Sequence, residues 1–167
     1  MKVVLYLAMS VNGYIAGEND DVSWLYEGSW ENYLNKIRES NIVVVGRKTY
    51  ELMPKDEFQK ECQYYIFTHS KIDLKAPNIK ATNEDPATFV KKLKNKNINQ
   101  IMIAGGSQLN TAFLKANFID EIYLDIEPYL LGKGIPLFQP IDTECELKLL
   151  SKKVENSTIQ LHYKVIK

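Results

Sequence analysis

Two kinds of hydrophobic pattern alternate along the first two thirds of the chain. Four runs are continuously apolar: Val3 to Met9, Ile42 to Val45, Tyr64 to Phe67, and Ile101 to Ala104. Apolar runs without polar alternation predict strands covered on both faces, as in a parallel sheet. Between the runs lie stretches of helical period. From Ser29 to about Glu39 the apolar positions are Trp30, Tyr33, Leu34 and Ile37, with Ser29 expected as the N-cap. Asp85-Pro86 opens a second helix, aspartate at the N-cap and proline at the first turn, with Phe89, Val90 and Leu93 facing inward. A third begins at Ser107 and buries Leu109, Ala112, Phe113 and Ala116.

The C-terminal third reads differently. Ile122, Leu124 and Ile126 alternate with Tyr123, Asp125 and Glu127, and Ile159, Leu161, Tyr163 and Val165 alternate likewise. Alternation predicts half-exposed strands, expected to pair antiparallel at the sheet edge. The order is that of an α/β protein: strand–helix units first, then a β-rich tail.

Composition changes this picture little. A chain of 167 residues with 45% hydrophobic and 25% charged residues is one globular domain, expected to span 1–167. Lys plus Arg and Asp plus Glu both number 21, so the basic excess of a nucleic-acid binder is missing and a small-molecule partner is expected. Cys62 and Cys145 have no metal-ligand spacing, and reduced thiols are expected. Val3 to Met9 is too short to span a membrane, and no cleavage signal follows it; the expected location is the cytoplasm.

Candidate chemistry concentrates where apolar runs end. Val45-Gly46-Arg47-Lys48-Thr49 leads from a strand into a helix that begins with two cations, although the positive end of a helix dipole disfavours them. An anion would repay that conflict, and the free amides with Arg47, Lys48 and Thr49 could surround a phosphate. A solvated helix start is the other reading. Ala104-Gly105-Gly106-Ser107-Gln108 is a second strand-to-helix turn, whose glycines permit close approach of a ligand. It is not a Gly-x-Gly-x-x-Gly fingerprint. Thr68, His69 and Ser70 follow a third strand, either as a further phosphate contact or as a polar turn. A dinucleotide, with its separated phosphates, would use two such turns.

These motifs, in this order, resemble the dihydrofolate reductase superfamily, and more closely the branch of the riboflavin-biosynthesis (RibD-type) C-terminal reductase domain. The resemblance rests on residues 8–16, Gly46 to Glu51, Ile103 to Gly106, Asp120-Glu121-Ile122, Pro128, Gly132 to Gly134 and Leu137-Phe138. It implies a three-layer α/β fold with a mostly parallel sheet, antiparallel C-terminal strands and flanking helices. It also implies NADPH as hydride donor, a small heterocyclic acceptor and a homodimer. Carried over, Ala8 and Ile15 would approach the nicotinamide. Gly46, Arg47, Lys48 and Thr49 would contact phosphates, with Thr68, His69 and Ser70 at the adenosine end. Gly105, Gly106, Ser107, Gln108 and Leu109 would lie at the pyrophosphate. Met9, Trp24, Trp30, Tyr33 and Met53 would wall the acceptor pocket. No metal is expected.

The chain also departs from the family's pattern. Dihydrofolate reductases carry a carboxylate near the start of the first helix, and the matching position here is Ser29, flanked by Glu27 and Glu31. Ser29 and, as substitute acid, Glu31 are the expected catalytic candidates. Asn12 stands where the riboflavin branch often has aspartate, and residues 52–56 lack that branch's acidic-proline-arginine continuation. Both departures bear on the substrate.

Overall fold

The computed structural model describes residues 1–54, 58–94 and 96–167; of the stretch 52–56, Lys55 and Asp56 fall outside them. The four apolar runs form β1 (Lys2–Ser10), β3 (Ile42–Gly46), β4 (Gln63–Phe67) and β6 (Gln100–Ile103). The remaining strands are β2 (Tyr14–Ala16), β5 (Ile79–Thr82), β7 (Glu121–Glu127), β8 (Ile135–Pro136), β9 (Glu146–Glu155) and β10 (Thr158–Ile166). The helices are α1 (Glu27–Arg38), α2 (Arg47–Leu52), α3 (Pro86–Leu93) and α4 (Ser107–Lys115). One eight-stranded sheet runs β5-β4-β3-β6-β1-β7-β10-β9, while β2 and β8 form a separate pair. From β5 to β7 every pairing is parallel; β10 and β9 run antiparallel.

The expected three layers are present. On one face Leu5, Val44, Ile103 and Ile122 pack with Phe89 and Val90 of α3 and Phe113 of α4. On the other, Val4, Val43, Val45 and Met102 pack with Tyr33 and Ile37 of α1 and Tyr50 of α2. Strands such as β3 are apolar on both faces because both are covered. The α3 start follows its sequence, with the Asp85 carboxylate accepting from the N–H groups of Ala87 (2.9 Å) and Thr88 (3.0 Å).

Two expectations are corrected. Helix α1 begins at Glu27, with Tyr26 extended at the N-cap, so Ser29 lies inside the first turn. A Cβ at Gly28 would stand 2.3 Å from the Tyr26 ring, so only glycine lets that ring fold over the helix start. Strand β7 pairs antiparallel with β10 as expected, but it also pairs in parallel with β1 and lies third from the edge, not at it. Its polar face is not solvated: Asp125 and Glu127 are each 1% exposed, because that face lies beneath α1.

Candidate functional site

The parallel strands bring their carboxyl ends, and hence the three polar turns, to one edge of the sheet. The two glycine turns touch there, the Gly46 N–H donating to the Gly105 carbonyl at 2.7 Å. The glycines have different reasons. Gly105 has φ +90°, a conformation side chains rarely adopt, and a Cβ there would also press on Leu7 at 3.2 Å. Gly106 is extended, with φ −84°, and a Cβ would meet only the Thr49 hydroxyl, at 3.3 Å. Its openness toward the edge, not its backbone angle, sets it apart. No side chain caps the start of α4, so its first amides are left to another partner.

Around this edge the cations are held lightly. Arg47, its side chain 42% exposed, bridges Glu51 at 2.8 and 3.0 Å, and Lys48 stands 4.0 Å from Asp20. The Thr68 hydroxyl accepts from the Ser70 N–H at 3.0 Å, and His69 and Ser70 are exposed at the end of β4. Ala8 and Ile15 are half-buried on β1 and β2, and Gln108 is exposed. Leu109 packs into the core, and the Ser107 hydroxyl accepts from the Gln139 amide at 2.9 Å. In the loop after β1, the Asn12 amide donates to the Leu131 carbonyl (2.7 Å) and accepts from the Leu131 N–H (3.2 Å). An aspartate could not make the first of these bonds.

Beside Ala8, on the same face of the sheet, lies a cluster that the sequence analysis missed. Asp125 pairs with Ala8 in register, and Glu127 with Ser10. The Asp125 carboxylate accepts from the Tyr6 hydroxyl at 2.6 Å and from the Asn32 amide at 3.3 Å. Glu127 accepts from the Ser29 hydroxyl on one oxygen and, at 2.8 Å, from Thr158 on the other. Burial pushes the Asp125 carboxyl above the usual aspartate range, the Tyr6 and Asn32 hydrogen bonds oppose this, and Glu127 adds to it. Burial, and then the charge of Asp125, push the Tyr6 hydroxyl well up. A carboxylate is thus bonded to Ser29, and it comes from β7 rather than from α1. The signal in the sequence was Asp125 and Glu127, two apart on one strand face; that α1 covers them was not visible.

Ser29 and Thr158 form part of the wall of a polar cavity of about 320 Å³ between α1 and the β9–β10 hairpin, which Glu31, Asn32, Lys153 and Gln160 also line. The expected pocket residues do not gather around it. Tyr33 packs against Tyr6 and Trp30, with ring centroids 6.0 and 5.0 Å away; Met53 is in the core; Trp24 stacks on Tyr129 at 5.8 Å. Met9 packs on the opposite face of the sheet. Among the described residues there is no group of side chains suited to hold a metal, and no helix long and apolar enough to cross a membrane.

Residues 1–163 match the family described as the RibD C-terminal domain, and the chain belongs to it. It is 37% identical to the uncharacterized protein YwjB of Bacillus subtilis (strain 168), over 97% of both chains. It is also 39% identical over 70 residues to the riboflavin biosynthesis protein RibD of Aquifex aeolicus, a match covering 41% of this chain and 20% of that one. Among solved structures, a pyrimidine reductase-like protein of Corynebacterium diphtheriae superposes with a TM-score of 0.80 at 17% identity, covering 99% of this chain and 92% of that one. A diaminohydroxyphosphoribosylaminopyrimidine deaminase/5-amino-6-(5-phosphoribosylamino)uracil reductase of Thermotoga maritima gives 0.78 at 16%, covering 99% of this chain and 56% of that one. These likenesses bear out the fold expected from the sequence.

Proposed function

We propose that the protein is an NADPH-dependent reductase that passes hydride to a small heterocyclic acceptor. The observation that carries this reading is the meeting of the two glycine turns beside Arg47 and Lys48 at the carboxyl edge of the sheet. The residues fit the dinucleotide. Gly106 leaves open a cradle that a Cβ would fill, and the uncapped amides of α4 suit a pyrophosphate. Arg47, Lys48 and Thr49 would take a second phosphate, and Thr68, His69 and Ser70 the adenosine end. The Arg47–Glu51 bridge is an exposed helical pair, worth about 0.3–0.5 kcal/mol, so a phosphate can displace it. Ala8 and Ile15 would border the nicotinamide, placing Asp125 and Glu127 one strand away. Bound NADPH supplies hydride; this chain's part is to hold the acceptor against it and keep water out.

The test is cofactor preference. A charge-assisted phosphate contact is worth on the order of 1.5–3 kcal/mol, so NADPH should bind at least tenfold tighter than NADH, and Arg47→Ala should erase most of the difference. Equal affinities in the wild type would remove the basis for NADPH.

The match to RibD proteins favours a narrower form of the same reading, a 5-amino-6-(5-phosphoribosylamino)uracil reductase serving riboflavin biosynthesis. A protein that holds NADPH without oxidising it would be a binding module instead. The site is expected to act in the cytoplasm.

The reading extends to a homodimer. Strand β9 is an edge strand, and Leu147, Leu149, Val154 and Ile159 form an exposed apolar face across it and β10, with Val154 69% exposed. Sedimentation at micromolar concentration should give about twice the 19.2 kDa chain mass; a species of 19.2 kDa alone would contradict it.

A further inference from the structure

Helix α2 is charged the wrong way round. Its first turn carries Arg47 and Lys48, its last turn has no cation, and no side chain caps its start. Six residues are too few to hold a helix in water unaided, so contacts from outside must hold α2. One is made by its buried side chain, Tyr50, at 1% exposure. Another comes from the loop between β4 and β5. There the Lys75 ammonium, with three protons to give, donates to three carbonyls at the end of α2: Tyr50 at 3.1 Å, Glu51 at 3.3 Å and Met53 at 3.1 Å. It satisfies carbonyls that the helix leaves open and supplies the cation that this end of the dipole lacks. The Tyr50 hydroxyl closes the clasp, donating to the Asp73 carbonyl at 2.9 Å and accepting from the Lys75 N–H at 2.7 Å. The ammonium also lies 4.8 Å from the centre of the Tyr50 ring.

The clasp joins two polar groups at the carboxyl edge of the sheet. Helix α2 opens with Arg47, Lys48 and Thr49, and the β4–β5 loop opens with Thr68, His69 and Ser70. We propose that Lys75 is a positioning residue: by tying the far end of α2 to this loop, it fixes the spacing and aim of both groups and so sets the affinity of this edge for a ligand that carries a phosphate beside adenosine. Lys75 does not meet that ligand. At 1.5 Å per residue its ammonium stands about 9 Å along α2 from Arg47, so it acts through the helix. Groups held in place before binding lose less freedom when the ligand arrives, and loosening α2 weakens every contact that it carries. The segments concerned are distant in sequence from one another, and only the fold shows that Lys75 serves the turn at Gly46. That the ligand is the adenosine end of NADPH rests on the reductase reading.

The experiment titrates adenosine 2′,5′-bisphosphate and adenosine 5′-monophosphate, which differ by one phosphate, into the wild type, Lys75→Met and Lys75→Arg at fixed ionic strength. Amide hydrogen exchange across α2 and melting curves are recorded on the same proteins. The wild type should favour the bisphosphate about tenfold or more. Lys75→Met nearly keeps the side chain's length and loses all three donors. Its preference should fall several-fold, and the amides of α2 should exchange about tenfold faster. Lys75→Arg, which keeps a cation and donors at the helix end, should recover most of the preference. Lys75→Gln, whose amide keeps two donors on a shorter stem, replaces methionine if that variant does not fold. A merely structural role would lower the melting temperature and weaken both ligands alike, leaving their ratio fixed. Equal affinities in the wild type, a fixed ratio in the folded variants, or unaltered exchange in α2 overturns the inference. A protein that shows the preference but passes hydride from NADPH to no acceptor would sink the reductase reading alone. Turnover of NADPH with a ratio indifferent to Lys75 would sink this one alone.

Discussion

Gly106→Ala should lose on the order of 10²-fold in NADPH affinity while keeping its fold. The turn holds Gly106 extended, so alanine is conformationally acceptable there, and the added methyl meets only the Thr49 hydroxyl at 3.3 Å. Removing a glycine also lowers the entropy of the unfolded chain, a gain of about 0.4–1 kcal/mol that offsets the tight contact. The methyl instead fills the space over the first amides of α4, where a pyrophosphate would sit. Displacing an anion from even two charge-assisted contacts costs about 3 kcal/mol or more. Gly105→Ala is the contrasting variant. At φ +90° and 3.2 Å from Leu7 it should be destabilised by about 1–3 kcal/mol whether or not cofactor is added. Thermal melts with and without NADPH distinguish the two: Gly106→Ala should melt like the wild type without cofactor and gain nothing from it. A normal cofactor-induced shift in Gly106→Ala would make the turn a structural element only.

Asp125→Asn should raise stability at neutral pH and flatten its pH dependence. Burial raises the Asp125 carboxyl above the ordinary aspartate range, and the neighbouring Glu127 pushes the same way, against the Tyr6 and Asn32 hydrogen bonds. With a raised folded-state value, the native protein binds more protons than the unfolded chain between the two values. The contribution of this group to stability is therefore fully present below the unfolded aspartate range and lost as pH rises through the raised folded value. At neutral pH the charge is carried at a cost. Asparagine keeps an acceptor for the Tyr6 hydroxyl and removes that charge. A relief of about 1 kcal/mol would raise Tm by about 2–4 °C in a domain of this size. Melting curves from mildly acidic to neutral pH should show the wild type losing stability across that range relative to the variant. Parallel curves, or a variant less stable at neutral pH, would mean that the carboxylate is favourable where it stands.

The sequence disclosed the fold better than the site, for a physical reason visible at particular residues. Val43, Val44 and Val45 are buried on both faces, so their pattern could have only one outcome, and the Asp85-Pro86 helix start carried its own cap. The glycine turns were legible because each combines a strand end with a helix start, and the structure brings them into contact. Strand β9 escaped notice because its polar face is solvated and its apolar face uncovered, leaving no buried run to detect. Asp125 and Glu127 read as surface positions because their burial depends on α1, almost a hundred residues earlier in the chain. The same distance explains Ser29. Local spacing made it a cap, whereas its bond to Glu127 made it part of a buried network. Glu31, the expected substitute acid, is exposed at the rim of the cavity.

The most direct test of the central claim is hydride transfer itself. The protein would be incubated with NADPH deuterated at the transferable position of the nicotinamide. The acceptors would be 5-amino-6-(5-phosphoribosylamino)uracil and a panel of amino-pyrimidine, pterin and imine compounds, with each product examined by mass spectrometry. Transfer of deuterium to one acceptor, dependent on the protein and reduced in Gly106→Ala, is the result expected of an NADPH-dependent reductase. NADPH that binds tightly yet keeps its label against every acceptor would contradict it.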